Sequence, residues 1–465
     1  MKMNISRIDL TNRLNRFTIL MVVLLVLLTS AKCANDDGQI ILQDDPVDMN
    51  DPGDNSDGET QEDPFTIVTR ITPNGIQDGD FFGYTLAATS EFTAASAPFD
   101  SEKGTRTGAV YIFKRNGSVF EATSHIIYPA SATMEDYFGW SLDLDGETLV
   151  IGAPKNDKNG EDAGSVYVYQ HSGNNQWSLV KELEVPNAAA GQEFGTTVAL
   201  DNGVLVVGSK FDAENYYDEG DITNAGGIAQ GSVYLFEEFG GWNFTQKLVP
   251  TDEKGHLWDA FGQGLDIKEN TIAIGAAGTN NTTYKAPGSV YVFEKFNETW
   301  EQTARIEATD GRTEDFFGSD LSLDGNHLAI ASPGSHNSLM PNQNQAPGAA
   351  YIFTNSGNEW SQEAKLLPAD VLPSDNYGSG GIGLHKDYVA VGAPFSEEVT
   401  KSNGSVHFFK REAGWPESHK IIAPDPLNED VFGGSIAVTE DLIFVGAHRR
   451  CNETGCWAGA LYFVE

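Results

Sequence analysis

The stretch "EDYFGWSLDLDGETLVIGAPKND", residues 135–157, contains an Asp-x-Phe-Gly turn, a short apolar run, an Asp-Gly corner and a second run closing on Gly-Ala-Pro. Apolar runs this short, bounded by Gly, Pro and Asp, read as β-strands joined by tight hairpins. The turn recurs at residues 80–83, 136–139, 259–262, 315–318, 375–378 and 430–433. A seventh copy at 192–195 carries Gln where the others carry Asp. Its glycines are spaced by 56, 56, 67, 56, 60 and 55 residues, so the chain is a sevenfold internal repeat.

A Gly-Ser-Val-Tyr run or a close variant follows each turn, beginning at Gly108, Gly164, Gly231, Gly288, Gly348, Gly404 and Gly459. These β-branched and aromatic runs predict strands buried on both faces. An aromatic then opens a fourth strand: Phe120, Trp177, Trp242, Trp300, Trp360 and Trp415. Four short strands per repeat, with no helical periodicity between them, predict an all-β fold, a seven-bladed β-propeller with four antiparallel strands per blade. The last repeat stops after its third strand, while "FTIVTRI", residues 65–71, has the pattern of a fourth. That N-terminal strand is expected to complete the last blade and leave the ring without a free edge.

Phe138-Gly139 with Gly152-Ala153-Pro154, Tyr377-Gly378 with Gly392-Ala393-Pro394, and the Gly-Ser-Val-Tyr runs resemble the FG-GAP repeats of integrin α chains and of many secreted microbial proteins. The resemblance covers residues 64–465 and implies a seven-bladed propeller with a role in adhesion or partner binding. Integrin blades often carry a calcium loop in the first hairpin. Here that hairpin is "LDLDGET" at 142–148, "LDNGV" from Leu200, "IKENT" from Ile267 and "LDGNH" from Leu323. None of these offers the six or more oxygens that calcium prefers, so the family's calcium sites do not carry over. Asp157, Asn159 and Asp162 have oxygen-ligand spacing and form the one candidate metal loop, for calcium, although they lack a distal bidentate Glu.

Outside the repeats, residues 1–33 pair Lys2, Arg7, Arg13 and Arg16 with an apolar run at 17–28, which reads as a secretory signal too short to span a bilayer. Residues 34–63 hold eleven Asp or Glu and no Lys or Arg, an acidic spacer expected to stay disordered. The formal charge is −38, which excludes nucleic acid as a natural partner. A secreted or extracellular-surface location follows. Cys451 and Cys456 are close enough to form a disulfide in an oxidising compartment. Cys33 is either removed with the signal or is a lipid anchor, with Lys32 departing from the usual lipidation motif.

The loops joining the second and third strands share a face with those joining one blade to the next, and function is expected on that variable face. The longest, at 209–230, offers Phe211, Tyr216, Tyr217 and Asp218 as a binding surface. His448, Arg449 and Arg450 make a basic spot beside the disulfide, suited to an acidic partner or to a salt bridge with a neighbouring loop. No nucleophile elbow, zinc-protease motif or phosphate loop occurs. The expected function is a non-catalytic module that binds an extracellular protein or glycan. The alternative is an extracellular polysaccharide lyase or hydrolase, which facing carboxylates with a His or Arg in one pocket would favour.

Overall fold

The computed structural model describes residues 65–464, apart from 66, 117–118, 121–124, 130–132, 174–175, 213–230, 252–259, 279–286, 335–346, 358 and 452–455. The leader, the acidic spacer, Cys33, Tyr216, Tyr217 and Asp218 lie outside the described residues. The described strands fall into seven antiparallel sheets, one per repeat. Their innermost strands neighbour one another in sequence order, and the last neighbours the first, so the sheets close into a ring.

Blade 1 contains Leu86–Ala88, Phe92–Ala97 and Ala109–Asn116, with its outer strand in two pieces, Val119–Phe120 and His125–Ile127. Blade 7 contains Ser435–Val438, Ile443–Ala447 and Ala460–Val464, and Ile67–Ile71 pairs antiparallel with the last of these. The closure expected from the sequence is therefore present. Just before that strand, Phe65 stacks on Phe408 of blade 6 at 4.1 Å. Two outer strands begin later than their tryptophans suggest, at Asn243 and Glu417. Trp242 and Trp415 instead occupy left-handed turns, φ 57° and 48°, with their rings buried beneath the blades.

The core is divided among the seven interfaces between adjacent blades. Each interface contains the aromatic of one Asp-x-Phe-Gly turn, and that ring meets the third-strand Tyr of its own blade edge to face, or His407 in blade 6. Phe138 and Tyr167, for example, lie 5.3 Å apart, and Phe432 and Tyr462 also 5.3 Å. At the same interface the glycine opening each third strand lies against the backbone of the next blade's aromatic. Phe194 donates its N–H to Ala163 O at 3.0 Å, and a Cβ placed on Gly164 would sit 2.2 Å from Phe194 O. Gly164 also has φ +86°, so both its conformation and its contact require glycine.

Around the central channel, carboxylates link one blade to the next. Asp143 accepts from the backbone N–H of Leu200 in blade 3, Asp266 from Leu323 in blade 5 and Asp320 from Ile382 in blade 6. Burial pushes the three carboxyls up to about 6, 7 and 6 respectively. Among the described residues, no helix is long and apolar enough to cross a membrane.

Because Ile67–Ile71 covers the edge of Ala460–Val464, deleting residues 65–71 exposes an unpaired strand in blade 7. The expected result by thermal unfolding and light scattering is a broadened, less cooperative transition with aggregation. An unchanged transition would contradict the closure.

Candidate functional site

The turn leading into each blade is held by its first side chain. Asp80, Asp136, Asp315, Asp375 and Asp430 each accept a backbone N–H from three residues upstream at 2.6–2.8 Å, and Gln192 does the same from Ala189. In blades 2, 3 and 7 a residue of the same blade's loop between strands two and three complements this side chain. Asn156 Nδ2 donates to Asp136, and Arg450 Nη1 donates to Asp430. In blade 3 the roles are exchanged, with Gln192 Nε2 donating to Asp212. The exceptional Gln of the repeat is thus the donor that matches an acidic loop partner.

Blade 1 departs from this pairing. Asp100 occupies the partner position, so two buried carboxylates, Asp80 and Asp100, share one wall of a cavity of about 300 Å³. Asp78, Glu102, Phe99, Arg106 and Gln77 line the rest. Burial pushes Asp80 up to about 6, and the charges of Asp100, Asp78 and Glu102 add to the rise. Burial also raises Asp100, which accepts from Tyr111 Oη and from the backbone of Glu102.

Beside this cavity the loops of blades 7, 1 and 2 bring together a cluster of half-buried rings. Phe81 and Tyr84 come from the turn leading into blade 1, Tyr137 and Trp140 from the turn leading into blade 2. Phe99 comes from the blade 1 loop, His448 and Trp457 from the blade 7 loop. Ring centroids are 4.9 Å apart for Phe81 and Phe99, 5.2 Å for Tyr84 and Trp140, and 5.2 Å for Phe99 and Tyr137. His448 lies 5.5 Å from Tyr84 and 6.0 Å from Phe81, and Trp457 lies 6.0 Å from Phe81. Burial among these rings pushes the His448 imidazole down to about 3, with adjacent Arg449 adding to the shift, and burial raises the Tyr84 hydroxyl to about 12.

The sequence candidates are distributed unevenly over this geometry. His448 belongs to the aromatic cluster as a neutral ring. Arg449 spreads over the Phe395 ring at 5.6 Å. Arg450 is 5% exposed and is bound by Asp430 and Asp425, so it is not open to an acidic partner. Of the two roles expected for it, the salt bridge to a neighbouring loop is the one observed. Phe211 is 37% exposed beneath Lys210, on the loop that follows the second strand of blade 3 and outside the ring cluster. Asp157 accepts from the backbone N–H of Asp162, and the Asp162 carboxylate faces Lys155 Nζ at 3.0 Å. Asn159 lies in the same loop. Cys451 and Cys456 are disulfide-bonded.

Each blade takes its outer strand from the start of the following sequence repeat, or, in blade 7, from residues 67–71. The FG-GAP repeat profile follows the same phase, matching 65–113, 126–169, 177–236, 242–293, 300–353, 360–409 and 415–464. This chain belongs to the FG-GAP repeat family. Every matched segment of the FG-GAP chain begins on, or one or two residues before, the outer strand of one blade and ends on the third strand of the next. No curated protein matches the chain. Among solved structures it is similar to the crystal structure of the Saccharomyces cerevisiae Sqt1, with 10% identity over 82% of this chain and 83% of that one and a TM-score of 0.44.

Asp80 supplies a pH test of the cavity. Its folded-state pKa of about 6 lies above the unfolded value of 3.8, so the folded protein holds the extra proton and the charged form is penalised above about pH 6. Asp80→Asn retains an acceptor for Gln77 N–H and removes that penalty. The variant is expected to melt above the wild type at pH 7.5, with the advantage fading as pH falls through 6 toward 4. A pH-independent difference in thermal midpoint would contradict the placement of Asp80.

Proposed function

We propose that this FG-GAP propeller is an exported, non-catalytic binding module that engages an extracellular partner through the loop face of blades 7, 1 and 2. The observation that carries the reading is the cluster of half-buried rings, because the fold does not require aromatics at those positions. Where blades 1 and 2 place Phe81 and Tyr137, four of the other five blades place Glu193, Ala260, Asn376 and Val431 in the same left-handed turn, and blade 5 places Phe316 without a second ring after its glycine. Where they place Tyr84 and Trp140, other blades place Thr196, Gln263, Ser319, Ser379 and Gly434. A scaffold that tolerates Ala, Asn and Thr gains nothing in closure from exposing Tyr and Trp. Amphipathic rings beside a polar rim are the composition of a recognition surface.

The adjoining cavity favours a protein partner presenting Lys or Arg over a neutral glycan, since Asp78, Asp80, Asp100 and Glu102 all line it. The loop bearing Phe211, Tyr216, Tyr217 and Asp218 is a second arm of the same proposal, and Arg449 borders the cluster. Export rests on the basic and apolar leader and on the Cys451–Cys456 bond. Retention at the surface through a lipid on Cys33 is the alternative to free secretion. The polysaccharide lyase or hydrolase remains a second reading, favoured by paired carboxylates, one lifted to about 6, with Arg106 in the same cavity.

The test is a screen of extracellular proteins and glycans against purified residues 64–465, with and without calcium. Trp140→Ala is expected to weaken the binder found by at least about tenfold, as loss of an aromatic anchor does, with little change in thermal midpoint. Full affinity in that variant, with loss in Tyr216→Ala and Tyr217→Ala, would move the site to the long loop. Cleavage of a polysaccharide that is abolished by Asp80→Asn would establish the second reading.

A further inference from the structure

Six of the seven blades carry Tyr at the fourth position of the third-strand motif: Tyr111, Tyr167, Tyr234, Tyr291, Tyr351 and Tyr462. Blade 6 carries His407, which is 1% exposed and keeps the edge-to-face contact with its turn aromatic, here Tyr377, at 5.5 Å. In blades 5 and 7 the tyrosine hydroxyl reaches an acid on the loop leading into the blade, Asp310 at 3.0 Å and Asp425 at 3.1 Å. The equivalent acid in blade 6 is Asp370, eight residues before the turn glycine in each case. An imidazole is shorter than a phenol. It therefore leaves space before Asp370 where the other two blades have a direct hydrogen bond.

A second departure fills one side of that space. Glu417 pairs in register with Phe409, a place held by Gln302 and Gln362 in blades 4 and 5. Its Oε1 lies 2.7 Å from His407 Nδ1. One ligand atom each from Asp370, His407 and Glu417 then lie within 4.8 Å of one another, with both carboxylates exposed and the imidazole buried behind them. The two changes from the repeat pattern occur in the same blade and meet in space, and together they build a one-nitrogen, two-oxygen ligand set that the other described blades lack.

We propose that Asp370, His407 and Glu417 form a binding site for a divalent transition ion of the zinc class, open to solvent at its remaining position. Imidazole with carboxylates suits zinc, whose bonds to such ligands are about 2.0–2.2 Å. The His407 to Glu417 separation must widen slightly to admit the ion between them. Lys420 Nζ lies 2.6 Å from one Asp370 oxygen and 2.9 Å from Glu398. An incoming ion takes the place of the Lys420 charge at Asp370, and Glu398 retains the lysine. Ser405 Oγ, 3.2 Å from His407 Nε2, fixes the ring behind the site.

The experiment is calorimetric titration of the untagged exported protein with zinc chloride, together with thermal unfolding in zinc and in chelator. The expected result is one site per chain and a midpoint raised by zinc and lowered again by chelator. His407→Tyr installs the residue of the other six blades, and Tyr377→Phe combined with it restores the common pair, so both variants are expected to fold. Both should bind zinc at least tenfold more weakly, as should Glu417→Gln. Absence of a single site in the wild type, or equal affinity in the His407→Tyr protein, would overturn the proposal.

Discussion

The constraint on which this molecule depends is a backbone contact between blades. At each interface the glycine that opens a third strand lies against the main chain of the next blade's turn aromatic. A Cβ there would stand 2.0–2.2 Å from the aromatic's carbonyl oxygen. That approach lets the aromatic's N–H reach the preceding blade and seats its ring in the apolar layer between sheets. The two glycines of the repeat, one in the turn and one before the strand, are parts of a single junction used seven times. The ring closes because the last such junction, Gly459 against Phe82, joins blade 7 to blade 1.

Once the junction is fixed by glycine, aromatic and capping carboxylate, two turn positions are free to vary. These are the residue before the aromatic and the residue after the glycine. The first is held in the left-handed region in every blade, at a conformational cost that the surrounding packing bears. Blades 1 and 2 use both positions for aromatics. Blade 1 also sets aside the carboxylate-to-donor pairing that blades 2, 3 and 7 maintain. Binding character has accumulated in one sector of a ring whose architecture repeats evenly.

The fold was legible in the sequence because its determinants are local and repeated. The glycine spacing, the Gly-Ser-Val-Tyr runs and the strand-like 65–71 segment each have a direct counterpart in the structure. The aromatic surface was legible only as departures from the repeat. "FFGY" at 81–84 and "YFGW" at 137–140 differ from "EFGT", "AFGQ" and "NYGS" at the two free positions. Their meeting with Trp457 depends on ring closure, which brings the last blade beside the first. For Arg450 the sequence leaves open an acidic partner or a salt bridge to a neighbouring loop, and the salt bridge is the one formed. Its partners Asp425 and Asp430 lie on a different loop, and a basic run beside a disulfide does not reveal whether its charge faces water. Trp242 and Trp415 precede their strands by one and two residues, a difference the sequence hides because a tryptophan in a turn and one opening a strand look alike in sequence.

The most direct measurement compares Gly164→Ala with Gly146→Ala by denaturant unfolding. Both glycines have positive φ, +86° and +55°, but an added Cβ meets Phe194 O at 2.2 Å in the first and nothing within 4 Å in the second. The account predicts a loss of about 1–2 kcal/mol for the hairpin variant, the ordinary penalty of a left-handed alanine. For the junction variant it predicts a loss above about 4 kcal/mol, or failure to fold. Equal losses in the two proteins would show that the blades do not depend on this contact, and would contradict the account.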